Sequence, residues 1–161
     1  MRHPFKPILA LALISLFASA GCAHKKVNEN ETGMPAVDTT DMGTSDTGNS
    51  IGLKTVHFDF DSALLGKKAK ATLREDAKIL KSNPTVMIQI EGHCDARGGI
   101  QYNLALGERR AKAASHYLSD RGVPASSLST ISYGKERPLV QGDTEEAYAQ
   151  NRRANLVITR K

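Results

Sequence analysis

A carboxylate and a guanidinium in this sequence are spaced so that they could converge on one site. Asp95 opens the glycine-bearing loop 95–99, and Arg110 lies in the helical pattern that follows it. At about 100° per residue, Arg110 falls on the apolar arc of that helix, together with Leu106 and Leu118. Because burial of an unpaired guanidinium is costly, Arg110 requires an anion and good hydrogen bonds. We therefore predict that Asp95 and Arg110 meet at a strand-loop-helix junction, where they could also form a structural ion pair when no ligand is bound.

A second set of residues could carry a different chemistry. His57, His93 and Cys94 are the residue types that a zinc-dependent or thiol-dependent hydrolase uses. However, three consecutive residues from His93 to Asp95 cannot easily surround one tetrahedral ion, and the spacing of zinc sites is absent. We predict no metal ligand, no cofactor and no catalytic residue, and expect His93 to orient its loop by hydrogen bonding. A hydrolase remains the alternative hypothesis.

Two arginines stand directly before the last predicted strand. Arg152 and Arg153 follow Asn151 in the sequence. An arginine near a core is expected to pair with a carboxylate. We predict a structural role for both, in pairs with carboxylates such as Asp59 or Asp61.

Alternating and helical patterns place these residues in one α/β domain. Period-2 alternation predicts strands at 55–61, 86–91, 128–133 and 154–158. Helical spacing predicts one helix with an apolar stripe from Leu65 to Leu80, and a second from Tyr102 to a stop signal at 121–124. A capping-box pattern at 143–146 predicts a short third helix. The order βαβαβ(α)β indicates a two-layer sandwich of the α/β (α+β) class, with its strand order left open.

The first 21 residues have the character of a lipoprotein signal peptide. Arg2 and Lys6 give a positive start, residues 8–20 are almost wholly apolar, and small residues precede Cys22. This pattern is similar to a lipobox, in which the cysteine is diacylated and becomes an acylated amino terminus. Several acyl chains hold a protein on a bilayer far better than one. We predict lipidation at Cys22, with ordinary secretion as the alternative.

The segment after the cysteine differs in charge from the rest of the chain. Ala23, in place of aspartate, favours sorting to the outer membrane, facing the periplasm. Residues 22–50 are polar and acidic, which predicts a disordered tether. The predicted head, residues 51–161, has 18 Lys and Arg against 12 Asp and Glu. An exported basic head without interleaved aromatic residues does not fit nucleic acid, so a carboxylate-rich partner is more plausible.

Five ordered motifs of the head resemble the OmpA-like peptidoglycan-binding domain family, namely 56–61, 91–98, 102–111, 132–138 and 151–153. Within that family they are most similar to the peptidoglycan-associated lipoproteins of the Tol-Pal system, which share the lipobox and the tether. The resemblance implies an OmpA-like sandwich whose four-stranded mixed sheet carries helices on one face. It also implies a binding protein and not an enzyme.

The resemblance further implies a ligand, the diaminopimelate of the peptidoglycan stem peptide. Asp95 would bind its ammonium group and Arg110 its carboxylate, for which arginine offers a bidentate fork that lysine lacks. Two positions depart from the family pattern: Cys94 replaces a small or polar residue, and Ala96 replaces a glutamate. By the same resemblance, six further residues line or support the pocket: Phe60, Asp61, Arg97, Tyr102, Asn103 and Leu106.

The resemblance also implies partners at both ends of the chain. They are peptidoglycan of the diaminopimelate type, a TolB-like periplasmic β-propeller protein that competes for the same face, and outer-membrane lipid through Cys22. The implied role is envelope integrity and constriction at cell division. An OmpA-like wall-binding lipoprotein outside the Tol system is a further alternative, because the sequence alone does not distinguish the two.

Overall fold

Four strands and three α-helices make up the part of the chain that the computed structural model describes, residues 43–48 and 50–161. The predicted signal peptide, Cys22 and most of the predicted tether lie outside the described residues. A short 3₁₀ turn, Ala125–Ser127, precedes the third strand. The elements in chain order are β1 Val56–His57, α1 Lys67–Ser82, β2 Met87–His93, α2 Ile100–Asp120, β3 Leu128–Gly134, α3 Glu145–Asn151 and β4 Arg153–Arg160.

The sheet is mixed, as predicted, with the strand order β1-β4-β2-β3. β2 and β3 are parallel, with Ile90 opposite Thr130. β4 runs antiparallel to both of its neighbours and sets Leu156 opposite Ile90. The last strand of the chain therefore lies between the first and the second, which brings the residues before it close to the loop after β2.

Both long helices pack on one face of the sheet, as predicted. β2 and β4 direct alternate aliphatic side chains towards the helices, and small and aliphatic residues of the helices pack against them. The buried core formed in this way includes Ile88, Ile90, Leu156 and Ile158 from the strands, Ala69, Leu73, Ala77 and Leu80 from α1, and Ala111, Ala114 and Leu118 from α2.

Two glycines let α2 approach the sheet closely. A Cβ atom added to Gly92 of β2 would lie 1.8 Å from the carbonyl oxygen of Gly107 in α2. A Cβ atom added to Gly107 would lie 2.3 Å from Oγ of Ser132 in β3. No side chain fits at either position without a shift of backbone. This contact presses α2 against the end of β2 and so brings Arg110, nearly one turn further along, to the carbonyl of His93.

The first strand is shorter than predicted. Ladder pairing covers only Val56 and His57, although the amide of Phe58 still donates to the carbonyl of Arg152 at 2.9 Å. The chain then leaves the sheet, because Asp61 adopts a φ of +51°. Phe60, which the alternation assigned to a half-buried strand, is 60% exposed. Because the chain leaves the sheet here, residues 59–64 form a loop after β1.

The ordered head begins before Ile51, where the sequence placed the end of the tether. Thr44 forms an antiparallel bridge with Val157, and the amide of Ser45 donates to the carbonyl of Leu156 at 2.9 Å. Ser50 is fully buried. Because β1 pairs with only the start of β4, the rest of that edge has free backbone groups, which residues 43–45 satisfy.

The helix boundaries differ only slightly from the predicted ones. α2 begins at Ile100, two residues before the predicted start, and its last residue is Asp120. Gly122 follows with a φ of +88°, within the predicted stop signal. The cap of α3 is Thr144, whose hydroxyl accepts from the amide of Ala147 at 3.3 Å, so the reciprocal capping box does not form. In the described part of the chain, no helix is long and apolar enough to cross a bilayer.

Candidate functional site

A cleft of about 460 Å³, partly open to solvent, lies between the loop after β1, the loop after β2 and the first half of α2. The structure brings together at this cleft all eight residues that the sequence analysis named for a pocket, and adds two more. The lining residues are Phe60, Asp61, Cys94, Asp95, Arg97, Gly98, Tyr102, Asn103, Leu106 and Arg110.

Arg110 is fully buried, and its hydrogen bonds in the described part of the chain all go to carbonyl groups. Its Nε donates to the carbonyl of Ser62 at 2.8 Å, Nη1 to that of His93 at 2.8 Å, and Nη2 to that of Asp59 at 3.1 Å. Among the described residues, no Asp or Glu oxygen lies within 4.0 Å of its side-chain nitrogens. The alternative of a direct Asp95–Arg110 ion pair is therefore wrong, because Asp95 has other partners.

The guanidinium of Arg110 keeps unused hydrogen-bonding capacity. It has five N–H groups in total, and the carbonyls of the fold accept from three. Burial lowers the pKa of Arg110, but an arginine side chain remains charged at every physiological pH. Arg110 lines the cleft, and two of its five N–H groups have no acceptor among these carbonyls.

Asp95, at the other side of the cleft, is already paired with cations. Oδ2 accepts from Nη2 of Arg97 at 2.6 Å and from Nη1 of Arg152 at 3.4 Å. Oδ1 accepts from the amide and Nε of Arg97 at 3.1 and 3.2 Å. Burial favours the neutral acid, but the hydrogen bonds from Arg97 and Arg152 outweigh it and lower the pKa of Asp95. The carboxylate is therefore ionised at neutral pH.

The two arginines before β4 have partners other than the predicted Asp59 and Asp61. Arg152 binds Asp95, and its Nη2 also lies 2.8 Å from Oε1 of Glu145. Arg153 pairs with Asp46 at 2.8 Å on a different side of the sheet. Both arginines pair with carboxylates, as predicted, but the named partners were wrong because the strand order was unknown, and only that order places Arg152 beside the loop after β2. Arg152 and Glu145 are thus part of the site that sequence reasoning missed.

Exposed aromatic rings form the rim of the cleft. Phe60 is 60% exposed and Tyr102 is 50% exposed. The hydroxyl of Tyr102 donates to Asp61, which joins the start of α2 to the loop after β1. The guanidinium carbon of Arg97 lies 4.1 Å from the ring centre of Phe60 and 4.3 Å from that of Tyr148. These contacts hold the cation at the entrance of the cleft.

Asn103 and Leu106 shape the inner part of the cleft. Nδ2 of Asn103 donates to the carbonyls of Arg97 and Gly99 at 2.7 and 3.1 Å, which holds the loop against the start of α2. Gly98 allows the loop to turn at a φ of +81°. Leu106, on the next turn of the helix, is buried and gives the cleft an apolar wall.

His93 is not the side-chain hydrogen bonder that the sequence analysis expected. Its ring is 2% exposed, and neither nitrogen has a hydrogen-bond partner among the described residues. Nε2 lies 3.5 Å from Oε2 of Glu91, and the ring packs 5.6 Å from that of Tyr133. It is instead the backbone carbonyl of His93 that serves the site, as an acceptor for Arg110.

Cys94 is buried behind the loop. Its Sγ donates to the carbonyl of Asn103 at 3.3 Å. Burial raises the pKa of the Cys94 thiol, and the nearby charge of Arg110 only partly opposes this. A raised pKa disfavours the thiolate that nucleophilic catalysis requires. Within residues 43–48 and 50–161, no cluster of three His, Cys, Asp or Glu side chains is arranged to hold a metal ion.

Comparison with known proteins identifies the family. A sequence model of the OmpA family matches residues 57–152. The chain is 42% identical over 153 residues to the peptidoglycan-associated lipoprotein of Brucella melitensis, an alignment that covers 93% of this chain and 90% of the relative. It is 43% identical over 151 residues to that of Rhizobium meliloti, covering 92% and 85%.

A solved structure supports the same assignment. The crystal structure of the peptidoglycan-associated lipoprotein from Burkholderia pseudomallei matches with a TM-score of 0.63 and 45% identity, over 65% of this chain and 88% of that one. Its fold is the mixed sheet with helices on one face that is described above. As its motifs predicted, the chain belongs to the OmpA family and, within it, to the peptidoglycan-associated lipoproteins.

Proposed function

We propose that this chain is a non-enzymatic lipoprotein of the cell envelope that binds peptidoglycan. In this proposal the free end of diaminopimelate in the stem peptide occupies the cleft between Asp95 and Arg110. That end is a zwitterion, with an ammonium and a carboxylate on one carbon. It therefore requires an anion and a cation a few ångströms apart, which are the two charges that line this cleft.

The observation that carries the proposal is the state of Arg110. It is fully buried, charged and without a carboxylate partner among the described residues, and it lines an open cleft. A buried cation with unused donors is costly, and an anion from outside would satisfy it. A carboxylate binds the planar guanidinium with a geometry that lysine cannot reproduce.

The other lining residues fit the remaining parts of such a ligand. Leu106, Phe60 and Tyr102 offer apolar surface to the methylene chain of diaminopimelate. Asn103 holds the loop that carries Asp95 in place. Cys94 and Gly98 complete the wall without adding charge, because the thiol stays protonated.

The wider role that we propose is a link between the outer membrane and the cell wall within a Tol-Pal system. Lipid on Cys22 would anchor the chain in the outer membrane, facing the periplasm. The rim of the cleft supports a protein partner as well, because Phe60 and Tyr102 are 60% and 50% exposed there. A TolB-like partner that covers this rim would compete with the wall for the same face.

The proposal is tested by sedimentation with purified cell walls. We expect Arg110→Leu to weaken binding to walls of the diaminopimelate type by at least about 100-fold, because the ligand carboxylate loses its only buried cation. Walls that carry lysine in place of diaminopimelate lack this carboxylate, so the intact chain should bind them weakly.

A second buried arginine provides the matched control. Arg153→Leu removes a side chain of the same type and burial that does not line the cleft, and it should leave wall binding unchanged. Circular dichroism would establish that both variants fold. If folded Arg110→Leu sediments with walls as the intact chain does, the proposed function is wrong.

A further inference from the structure

Asp95, to which the proposed function assigns the ammonium group, has no free side in this structure. Three of its four hydrogen bonds come from Arg97 and the fourth from Arg152. We propose that Arg97 is an internal competitor for Asp95 that the ligand's ammonium must displace, and that Glu145 receives the displaced guanidinium. This inference rests on the proposed function and deepens it, because it makes Arg97 a residue that lowers the affinity of the site for every ammonium ligand.

Arg97 is the partner of Asp95 that can leave. Its side chain is 37% exposed, whereas those of Asp95 and Arg152 are 6% and 8% exposed. Arg152 is also fixed by a bond from Nε to the carbonyl of Phe58 at 3.2 Å. Apart from its bonds to Asp95, the guanidinium of Arg97 has only aromatic contacts and one longer ion pair in the described part of the chain.

That longer ion pair marks where the guanidinium would go. Nη1 of Arg97 lies 3.5 Å from Oε2 of Glu145, while the other oxygen of Glu145 binds Arg152. Glu145 is 61% exposed in the first turn of α3, so it can follow the moving cation. The rings of Phe60 and Tyr148 lie along this path, 4.1 and 4.3 Å from the guanidinium carbon, and favour a cation in either position.

Charge explains why Arg97 has to move. Two guanidinium groups already share the single negative charge of Asp95. An ammonium added to this arrangement would place a third cation on one carboxylate, which Coulomb repulsion opposes. If the guanidinium of Arg97 moves to Glu145, the ammonium takes its place on Asp95 and the number of cations on that carboxylate stays at two. The carboxylate of Glu145 then balances the charge of Arg97.

The competition imposes the same cost on every ammonium ligand, so binding requires a second contact that offsets it. A lone ammonium, such as the end of a lysine side chain, has to displace Arg97 without any compensating contact. An α-amino acid zwitterion displaces it while its carboxylate gains the unused donors of Arg110. Arg97 thus lowers the affinity for every cationic ligand, and only the zwitterion recovers enough binding energy.

Calorimetry with two synthetic probes tests this inference on the full chain in detergent. The probes are a stem tripeptide that ends in meso-diaminopimelate and the same tripeptide that ends in lysine. We expect Arg97→Met to bind the first probe about three- to tenfold more tightly, and to gain a similar factor for the second, because the competitor is gone. Arg97→Lys keeps the charge but loses the bidentate geometry of the guanidinium, so its affinity for each probe should lie between those of the intact chain and of Arg97→Met.

The role of Glu145 is tested by a double-mutant cycle. Glu145→Gln should weaken binding of the diaminopimelate probe about threefold in the intact background, and should have no effect in the Arg97→Met background. A merely structural role of Glu145, through Arg152, would give the same effect in both backgrounds. That result, or unchanged or weaker binding by folded Arg97→Met, would overturn the inference.

The same experiment separates this inference from the proposed function. If the intact chain binds the diaminopimelate probe and Arg110→Leu does not, the proposed function stands whatever Arg97→Met does. If the intact chain fails to bind the diaminopimelate probe, or if Arg110→Leu binds it with the same affinity as the intact chain, the proposed function and the inference that rests on it are both wrong.

Discussion

Two buried arginines of this domain, Arg110 and Arg153, have opposite surroundings. Arg110 is 0% exposed and Arg153 is 4% exposed. Arg153 has a carboxylate of the protein, since its Nε donates to Asp46 at 2.8 Å and Asp46 also accepts from Thr55. Arg110 has three carbonyl oxygens and no carboxylate within 4.0 Å in the described part of the chain.

The difference separates a structural cation, Arg153, from the cation to which the proposed function assigns a ligand, Arg110. Where the fold supplies the anion, as for Arg153, the pair joins residues 43–48 to β4. Where the fold supplies only neutral acceptors and an open cleft, as for Arg110, the proposed function takes the missing anion from the ligand. Burial alone does not distinguish the two arginines, and the identity of their partners does.

The largest effect is expected from moving the helix that carries Arg110 while leaving Arg153 in place. In Gly92→Ala the new methyl would overlap the carbonyl of Gly107, which lies 1.8 Å from the added Cβ position. Because the obstacle is backbone, α2 has to shift, and we expect the free energy of unfolding to fall by about 4 kcal/mol. Urea unfolding measures this, and wall binding should be lost at the same time.

Gly66→Ala is the control for this substitution. The added methyl at Gly66 meets nothing within 4 Å, so the cost is at most about 1 kcal/mol, from a poorer helix cap. Equal destabilisation by the two substitutions would show that the contact between Gly92 and Gly107 does not position α2.

A smaller effect is expected from removing the anion of the structural arginine. Asp46→Ala leaves Arg153 as a buried cation without its carboxylate, which we expect to lower the free energy of unfolding by about 3 kcal/mol. Wall binding should be unchanged, because neither residue lines the cleft. The double variant Asp46→Ala/Arg153→Met should recover part of the loss. A large loss of wall binding by folded Asp46→Ala would contradict the division between the two arginines.

The smallest effect concerns Asp76, a buried carboxyl group that takes up a proton instead of forming an ion pair. Oδ1 accepts from the amide of Lys54 at 3.0 Å, Oδ2 has no partner among the described residues, and burial raises the pKa to about 7. Because the pKa of Asp76 is raised on folding, the contribution of this group to stability is greatest below about pH 4 and is lost as the pH rises from about 4 to about 7.

Asp76→Asn should remove this pH dependence. At pH 8 the substitution eliminates a buried charge worth about 4 kcal/mol, and the unpaired amide hydrogens offset about half, so we expect a gain of about 2 kcal/mol. At pH 4 the acid is already neutral, so only the cost of the unpaired amide hydrogens remains, and the variant should be about 2 kcal/mol less stable than the intact chain. Thermal unfolding from pH 4 to pH 8 measures both, and equal pH dependence in the two proteins would contradict the assignment to Asp76.

Much of the fold and of the cleft could be predicted from the sequence because the relevant signals are local. The alternation of Val86, Ile88 and Ile90 marks a half-buried strand, and the arc position of Arg110 shows that its side chain faces the core. Spacing and arc position named Asp95 and Arg110, and the resemblance to the OmpA-like family named the other six pocket residues. The structure gathers all eight around one cleft. Their role in binding stays a prediction.

The errors concern pairings between residues far apart in sequence. The partners of Arg152 and Arg153 depended on the position of β4 in the sheet, which no local pattern encodes. The early start of the head depended on the free edge of β4, which attracts residues 43–45. The exposure of Phe60 depended on the turn at Asp61, where the chain leaves the sheet after two ladder residues.

The sequence by itself determined which charged residues would face the core and which loop would meet them, because side-chain direction follows from the period of a helix or strand. Only the tertiary structure decided how those charges are shared. It placed Arg97 and Arg152 on Asp95 and gave Arg110 carbonyls alone. The physical reason is that the strength and choice of an ion pair depend on distances of a few ångströms between distant segments, and these are set by strand order and by the close contact of Gly92 with Gly107.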